Sequence, residues 1–172
     1  GYQVTREYYV NDAGRQMDIL TVSTWLRYLE LFGHDVSFPV KGYQGNYVRV
    51  MAKNLQEQAG DRYNLEPSLL KPQETQNVDD EKILDQLISV AKKHLSSSYA
   101  AIHEEVLRQQ LDSCRSELTS FGVDFDCWFS EQSLFTEGKI GEIVSNLDQK
   151  GHLYIKDGAT WFKSTEFGDE KD

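Results

Sequence analysis

Cysteine is almost missing from this chain. Cys114 and Cys127 are the only two, too few for a disulfide framework and without a Cys or His beside them at metal-ligand spacing. Both read as reduced, half-buried core residues of a cytosolic protein, which places the chain in the cytoplasm. Basic side chains are short as well, 18 Lys and Arg against 28 Asp and Glu, for a net charge of -10 and a pI near 4.8. That balance excludes a surface built as a whole for nucleic acid, and no tight nucleic-acid binding is expected of the acidic chain by itself. No apolar run approaches the roughly 18 residues of a membrane span, and no charged-apolar-small leader opens the chain, so no membrane partner is expected. Histidine is sparse too. His94 and His103 are not spaced i, i+4 on one helical face, lack flanking ligands, and read as surface or helix-end residues.

What is present is organised around Phe121 to Phe135, FGVDFDCWFSEQSLF. Val123, Phe125, Cys127 and Phe129 alternate with Asp124, Asp126, Trp128 and Ser130, the period-2 pattern of a half-buried strand. Glu131 sits where that strand ends. Taken alone it is either a solvated strand-end carboxylate or, if the strand belongs to an open α/β sheet, an acid aimed at a small cation.

The N-terminal part repeats the plan. Val4 to Val10 is strand-like and stops at Asn11-Asp12-Ala13-Gly14, after which Ile19, Val22, Leu26 and Leu29 mark one face of a helix closing at Gly33. Asp12 stands at the helix start, where a carboxylate either caps free N–H groups or accepts from a bound ammonium. Phe38 to Tyr47 reads as an irregular loop, and Tyr47 to Gly60 as a helix. Asn64 to Asn77 is a loop or connector, and Asp79 and Asp80 open a helix whose stripe runs from Ile83 to Leu95. The serines 96–98 break the run and can cap a further helix from Tyr99 to Leu118. After Glu131 come a short helix over Ile140 to Leu147, ending at Gly151, and a hairpin about Asp157-Gly158. The tail, TEFGDEKD, is acidic and shows no closing element. Two strand-helix units around a helical excursion predict a parallel sheet interrupted by an insertion.

Two stretches carry a family resemblance. FDCWFSEQSLF resembles the arginyl-tRNA synthetase pattern in which an F-D-x-W/Y strand runs into S/G-E-S, and Val10 to Gln16 is similar to that family's V-G/N-D-x-G-x-Q. Tyr43 to Tyr47 matches its Y-x-G-x-Y element, for which a turn pinned by two aromatics is expected. The resemblance implies a part of a Rossmann-like parallel-sheet catalytic domain, interrupted by a mostly helical insertion and followed by a second small α+β insertion. The divisions expected are 1–36 for the first strand-turn-helix portion, 37–104 for the helical insertion, 105–131 for the returning helix and strand, and 132–172 for the second insertion.

The resemblance also implies the chemistry: ATP-dependent activation of arginine, with Mg accompanying the nucleotide, and transfer of the arginyl group to tRNA. Asp12 would hold the α-amino group of arginine, Gly14 would let the backbone approach the ligand, Gln16 would contribute from the first helical turn, and Glu131 would read the guanidinium. Both acids position the substrate, and neither is a general base. The family's H-x-G-H and K-M-S-K-S signatures do not occur in this sequence. The chain therefore reads as an internal piece, cut in mid-domain and inactive alone. The competing expectation is a non-enzymatic acidic α/β module that binds a protein partner through its helices.

Overall fold

The computed structural model describes residues 1–66 and 79–172. Most of the loop expected over Asn64 to Asn77 lies outside the described residues; Asn64 to Glu66 carry no regular structure. Two compact units emerge, Asp12–Asp126 and, separately, Gly1–Asn11 with Cys127–Asp172.

The unit Asp12–Asp126 is helical. It contains α1 (Arg15–Glu30), α2 (Asn46–Ala59), α3 (Asp80–Leu95) and α4 (Ser97–Ser120). Their ends follow from local chemistry. Gly60 closes α2 at φ 60°, a backbone conformation that costs a glycine little. Asp79 caps α3 by accepting the Glu81 N–H at 3.3 Å. Ser96 separates α3 from α4, but its hydroxyl makes no cap hydrogen bond, contrary to the expected serine cap. Its φ of 50° turns the chain instead.

Helix α1 departs most from its sequence pattern. One buried face was expected, yet every residue from Ile19 to Leu26 is buried, because α2, α3 and α4 all pack on it. Polar residues survive there by finding partners. Thr21 Oγ1 donates to the Met17 carbonyl at 2.8 Å, Ser23 Oγ accepts the Tyr43 N–H at 3.0 Å, and the Thr24 hydroxyl faces Met51 Sδ at 4.0 Å. Trp25, Leu26, Tyr28 and Leu29 are almost wholly excluded from water, each such burial contributing about 1.5–3 kcal/mol. The expected stripe of α4 is buried only at Tyr99, Ile102 and Val106. With 24 residues against 16 in α1, α4 is longer by roughly 12 Å at ~1.5 Å per residue, so its second half packs less deeply.

The second unit holds β1 (Glu7–Val10) and β2 (Cys127–Ser130), paired in parallel with Glu7 opposite Cys127 and Val10 opposite Ser130. Both strands occupy only the last four residues of the stretches expected, since pairing in register stops there. Tyr8 stacks on Trp128 with ring centroids 4.4 Å apart, and Tyr9 on Phe129 at 5.9 Å; such cross-strand aromatic pairs stabilise a ribbon that two strands alone would leave marginal. Among the described residues the sheets are two-stranded, so the architecture is a helix-rich mixed α/β one with a parallel pair, and the wider Rossmann-like sheet expected is not formed within it.

After β2 come α5 (Glu131–Thr136), α6 (Lys139–Gln149) and the antiparallel hairpin β3 (Leu153–Lys156) and β4 (Ala159–Phe162). The hairpin turns at Asp157-Gly158 as expected, with φ 52° and 77°, the positive pair that a two-residue type I′ turn requires. The tail was expected to lack a closing element. It does close, through a 3-10 turn at Ser164–Phe167, with Ser164 Oγ donating to the Lys171 carbonyl and the Thr165 N–H to Asp172 Oδ1, both at 2.8 Å. Cys114 and Cys127 form no disulfide and are half-buried, as expected.

Candidate functional site

Four residues were singled out by sequence, and they fall on two segments. Asp12, Gly14 and Gln16 belong to the turn that opens α1 in the helical unit, whereas Glu131 opens α5 in the other unit.

In the turn, Asp12 is buried, with 6% of its surface exposed. It is not the cap of α1: that position belongs to Gly14, whose φ of 98° and ψ of -170° suit only glycine, and no side chain caps the helix. A Cβ on Gly14 would meet nothing within 4 Å. Backbone conformation, with open space beside it, is therefore what calls for glycine. Gln16 Oε1 accepts from the Tyr43 hydroxyl at 3.0 Å. Tyr43 is held in turn through its backbone N–H to Ser23, and the Tyr47 ring covers Gly45 so closely that any side chain there would collide with it. The Y-x-G-x-Y element is thus a turn pinned by both rings, and one ring reaches the helix start.

The same turn is gripped from α3. Arg15 Nη2 meets Glu81 Oε2 at 2.6 Å, Arg15 Nε meets Asp85 Oδ1 at 2.8 Å, and Lys41 Nζ reaches Glu81 at 3.3 Å. Hydrogen bonds that Arg15 donates to Asp85 and then to Glu81 hold its pKa above the ordinary value. Hydrogen bonds from Arg15 and then Lys41 hold the Glu81 carboxyl below the usual carboxylate range. One turn further along α1, Asp18 accepts from Lys92 Nζ and from the Tyr99 hydroxyl, each at 2.7 Å. Burial, reinforced by Asp18, pushes the Tyr99 phenol up, so it stays a donor.

His103 was expected at the surface or a helix end, and the structure corrects this. Its ring is half-buried in the interior of α4, with Nδ1 at 3.1 Å from Thr21 Oγ1. Because the single Thr21 hydroxyl proton is spent on Met17, His103 must donate from Nδ1, which defines the tautomer. Burial pushes the His103 pKa down, with Asp18 opposing. His94 lies exposed in the last turn of α3, as expected. No sequence periodicity marks the His103, Arg15 or Asp18 partnerships, which join residues 66 to 82 positions apart. The one usable signal was the complementary sign of Arg15 and Asp18 against Glu81, Asp85 and Lys92.

Glu131 is the first residue after β2 and is half-buried. Ser130 caps α5 by accepting the Ser133 N–H at 3.3 Å, and Ser133 Oγ donates back to the Ser130 carbonyl at 2.6 Å. This reciprocal pair makes S-E-Q-S start a helix at once, so Glu131 sits at a sharp strand-to-helix junction. A groove of about 550 Å³ lies elsewhere, between α2 and α4 around Tyr47, Asn54 and Arg108, and contains none of the four residues. Among the described residues no helix is long and apolar enough to cross a membrane.

No protein-family model matches the sequence. Over its whole length the chain is 55% identical to the arginine–tRNA ligase of Nitrosospira multiformis and 52% identical to that of Nitrosomonas europaea, and it covers 30% of each. It is 46% identical to the Legionella pneumophila ligase over the same share. Among solved structures, an arginyl-tRNA synthetase from Campylobacter jejuni superimposes with a TM-score of 0.66 at 24% identity, over 99% of this chain and 31% of that one. That likeness bears on the fold alone. The chain spans about 30% of the length of these curated relatives.

Proposed function

We propose, starting from this chain's place among the arginyl-tRNA synthetases, that it is an internal part of the catalytic domain of an enzyme that activates arginine with ATP and transfers it to tRNA. The observation that carries this is the full-length match, in which the whole chain aligns at 55% identity with an arginine–tRNA ligase. The parallel pairing of β1 and β2 supports it, because V-N-D-A-G-R-Q begins at the last residue of β1 and S-E-Q-S at the last residue of β2. Carboxyl ends of parallel strands are where open α/β sheets place ligands. In the parent enzyme these two strands would belong to a Rossmann-like sheet, with 37–104 and 132–172 as insertions.

Each site residue receives a role on that reading. The Glu131 carboxylate accepts from the planar donor fork of the arginine guanidinium, which is charged at every physiological pH. Asp12, already withdrawn from water, accepts from the α-ammonium, and Gly14 leaves the backbone beside it open to the ligand. Gln16, tied to Tyr43, contributes an amide from the first turn. Held in this way, the arginine carboxylate attacks the α-phosphate of ATP, with Mg accompanying the nucleotide; an acyl–phosphate bond forms and pyrophosphate leaves. Positioning of this kind lowers the barrier by removing the entropy of alignment. Stabilisation of the phosphates, tRNA contacts and the cytoplasmic setting belong to the parent enzyme. The interaction-module alternative is not favoured, since the relatives matched across the whole chain are ligases.

The test is Glu131→Gln in the full-length synthetase. Gln keeps the shape but replaces one acceptor oxygen with a donor, leaving a desolvated cation short of its counter-charge at about 2–5 kcal/mol. The arginine KM should rise roughly ten- to a thousandfold, at 1.4 kcal/mol per decade, with the ATP KM changed far less. An arginine KM within about twofold of the parent, in a folded protein, would return Glu131 to a solvated strand-end carboxylate.

A further inference from the structure

The start of α1 lacks the usual anchors. Gly14, Arg15 and Gln16 are exposed, no side chain caps the helix, and the first buried residue within it is Met17. A line of charges on α3 holds this turn from outside, alongside the Tyr43 hydroxyl on Gln16. Glu81, Asp85 and Lys92 are spaced by four and seven residues, one stripe of a helix. Against them stand Arg15 and Asp18 on α1, spaced by three. The signs are ordered: the cation at 15 meets the acids at 81 and 85, and the acid at 18 meets the cation at 92. Displacing α3 along α1 by two turns would bring Lys92 to Arg15, so the charge order selects one register.

These contacts are poor candidates for stability. The Arg15, Glu81 and Asp85 side chains are 41%, 43% and 61% exposed, and exposed pairs contribute little. The buried apolar residues of α1 already hold the helix as a whole. What Arg15 adds is a two-point grip, Nε on one carboxylate and Nη2 on another, on the first helical residue after Gly14. A planar guanidinium held at both points fixes direction as well as distance.

We infer that Arg15 is a positioning residue for the arginine-binding turn: clamped by Glu81 and Asp85, it sets the conformation of residues 12–16 and through them the place of the Asp12 carboxylate. The inference rests on the proposed reading of that turn as a contact for the arginine α-ammonium. Arg15 itself touches no substrate. Its effect is carried by α3, which makes α3 part of the apparatus that sets arginine affinity.

The experiment is a mutant cycle in the full-length synthetase, read by arginine-dependent pyrophosphate exchange and by thermal melting. Arg15→Gln removes the cation, Glu81→Gln with Asp85→Asn removes both acids, and the triple variant removes all three. Each is expected to raise the arginine KM about fivefold while the ATP KM stays within about twofold. Since all three variants break one clamp, the triple should be no worse than either parent variant. Melting should stay within about 2 °C. The inference is overturned if Arg15→Gln leaves the arginine KM within about 1.5-fold, if the triple variant shows the product of the two separate effects, or if the KM change tracks a loss of melting temperature. Asp12→Asn separates the two levels. If Asp12→Asn raises the arginine KM and the clamp variants do not, only the positioning role falls; if Asp12→Asn is itself without effect, the turn is not an arginine contact and both readings fall.

Discussion

Tyr28→Phe tests how the helical unit is held together. Tyr28 has no exposed surface, and its hydroxyl donates to the Gly60 carbonyl at 2.7 Å while accepting the Tyr63 N–H at 3.2 Å. Trp25 Nε1–H donates to the Tyr63 carbonyl at 2.9 Å, so two side chains of α1 tie down the turn that follows α2. Phenylalanine keeps the ring contacts with Phe32 and Tyr63 and removes only the oxygen. Gly60 is exposed, and its carbonyl regains water at little cost, whereas Tyr63 is 6% exposed and its N–H is left without a partner. An unsatisfied buried donor costs about 1–3 kcal/mol, and losing the bond to Gly60 adds roughly 0.5 kcal/mol. The expected loss is therefore about 2 kcal/mol. Urea denaturation followed by far-UV circular dichroism, which reports chiefly on the helices, should show the midpoint falling by about 1 M at an m-value near 2 kcal/mol per M. Burial raises the Tyr28 pKa, so the hydroxyl remains a donor and the difference should be flat over about pH 7 to 9. A midpoint shift below about 0.2 M at unchanged m would refute the assignment of this hydroxyl as the tie.

Two further outcomes are expected. Burial lowers the His103 pKa below that of the unfolded chain, so the folded state disfavours the proton; the stability from neutral His103 is complete above the unfolded pKa of about 6.5 and is lost as pH falls through the folded value. His103→Gln should flatten the stability profile as pH falls below about 6.5, and identical slopes in the two proteins would remove His103 as the titrating group. The isolated chain should show no arginine-dependent pyrophosphate exchange, because donors to the transferring phosphate dominate adenylate chemistry and neither signature that supplies them occurs in this sequence. Exchange above that of a blank preparation would contradict the assignment of this chain as one part of a longer catalytic domain.

Much of the local structure is legible in the sequence. Asp79 reads as a cap because a short carboxylate before an apolar stripe can reach a free N–H, and it does so. Asp157-Gly158 reads as a hairpin turn because few other pairs tolerate positive φ twice, and the angles bear that out. The parallel pairing of β1 with β2 follows from two strand-helix units, since a strand that leaves through a helix returns in the same direction. Glu131 falls immediately after a strand, as the alternation ending at Ser130 required. Each of these depends on residues close together in the chain.

The rest was set by partners far apart in sequence. Periodicity assigned α1 one apolar face, but three helices surround it, and Thr21, Ser23 and Thr24, polar by composition, are buried because Met17, Tyr43 and Met51 lie beside them. His103 looked like a surface residue until Thr21, 82 positions away, supplied an acceptor. For Asp12 the sequence left a helix cap and an ammonium acceptor both open, and the cap fell only when Gly14 took that position. By itself the sequence determined which segments form helices, turns and strands and where both early strands end, together with the family they resemble, since capping, positive φ and alternation act within a few residues. Which polar groups are buried, and which charges meet across α1 and α3, was decided only by packing, because desolvation and Coulomb attraction depend on distance in space and not on separation along the chain.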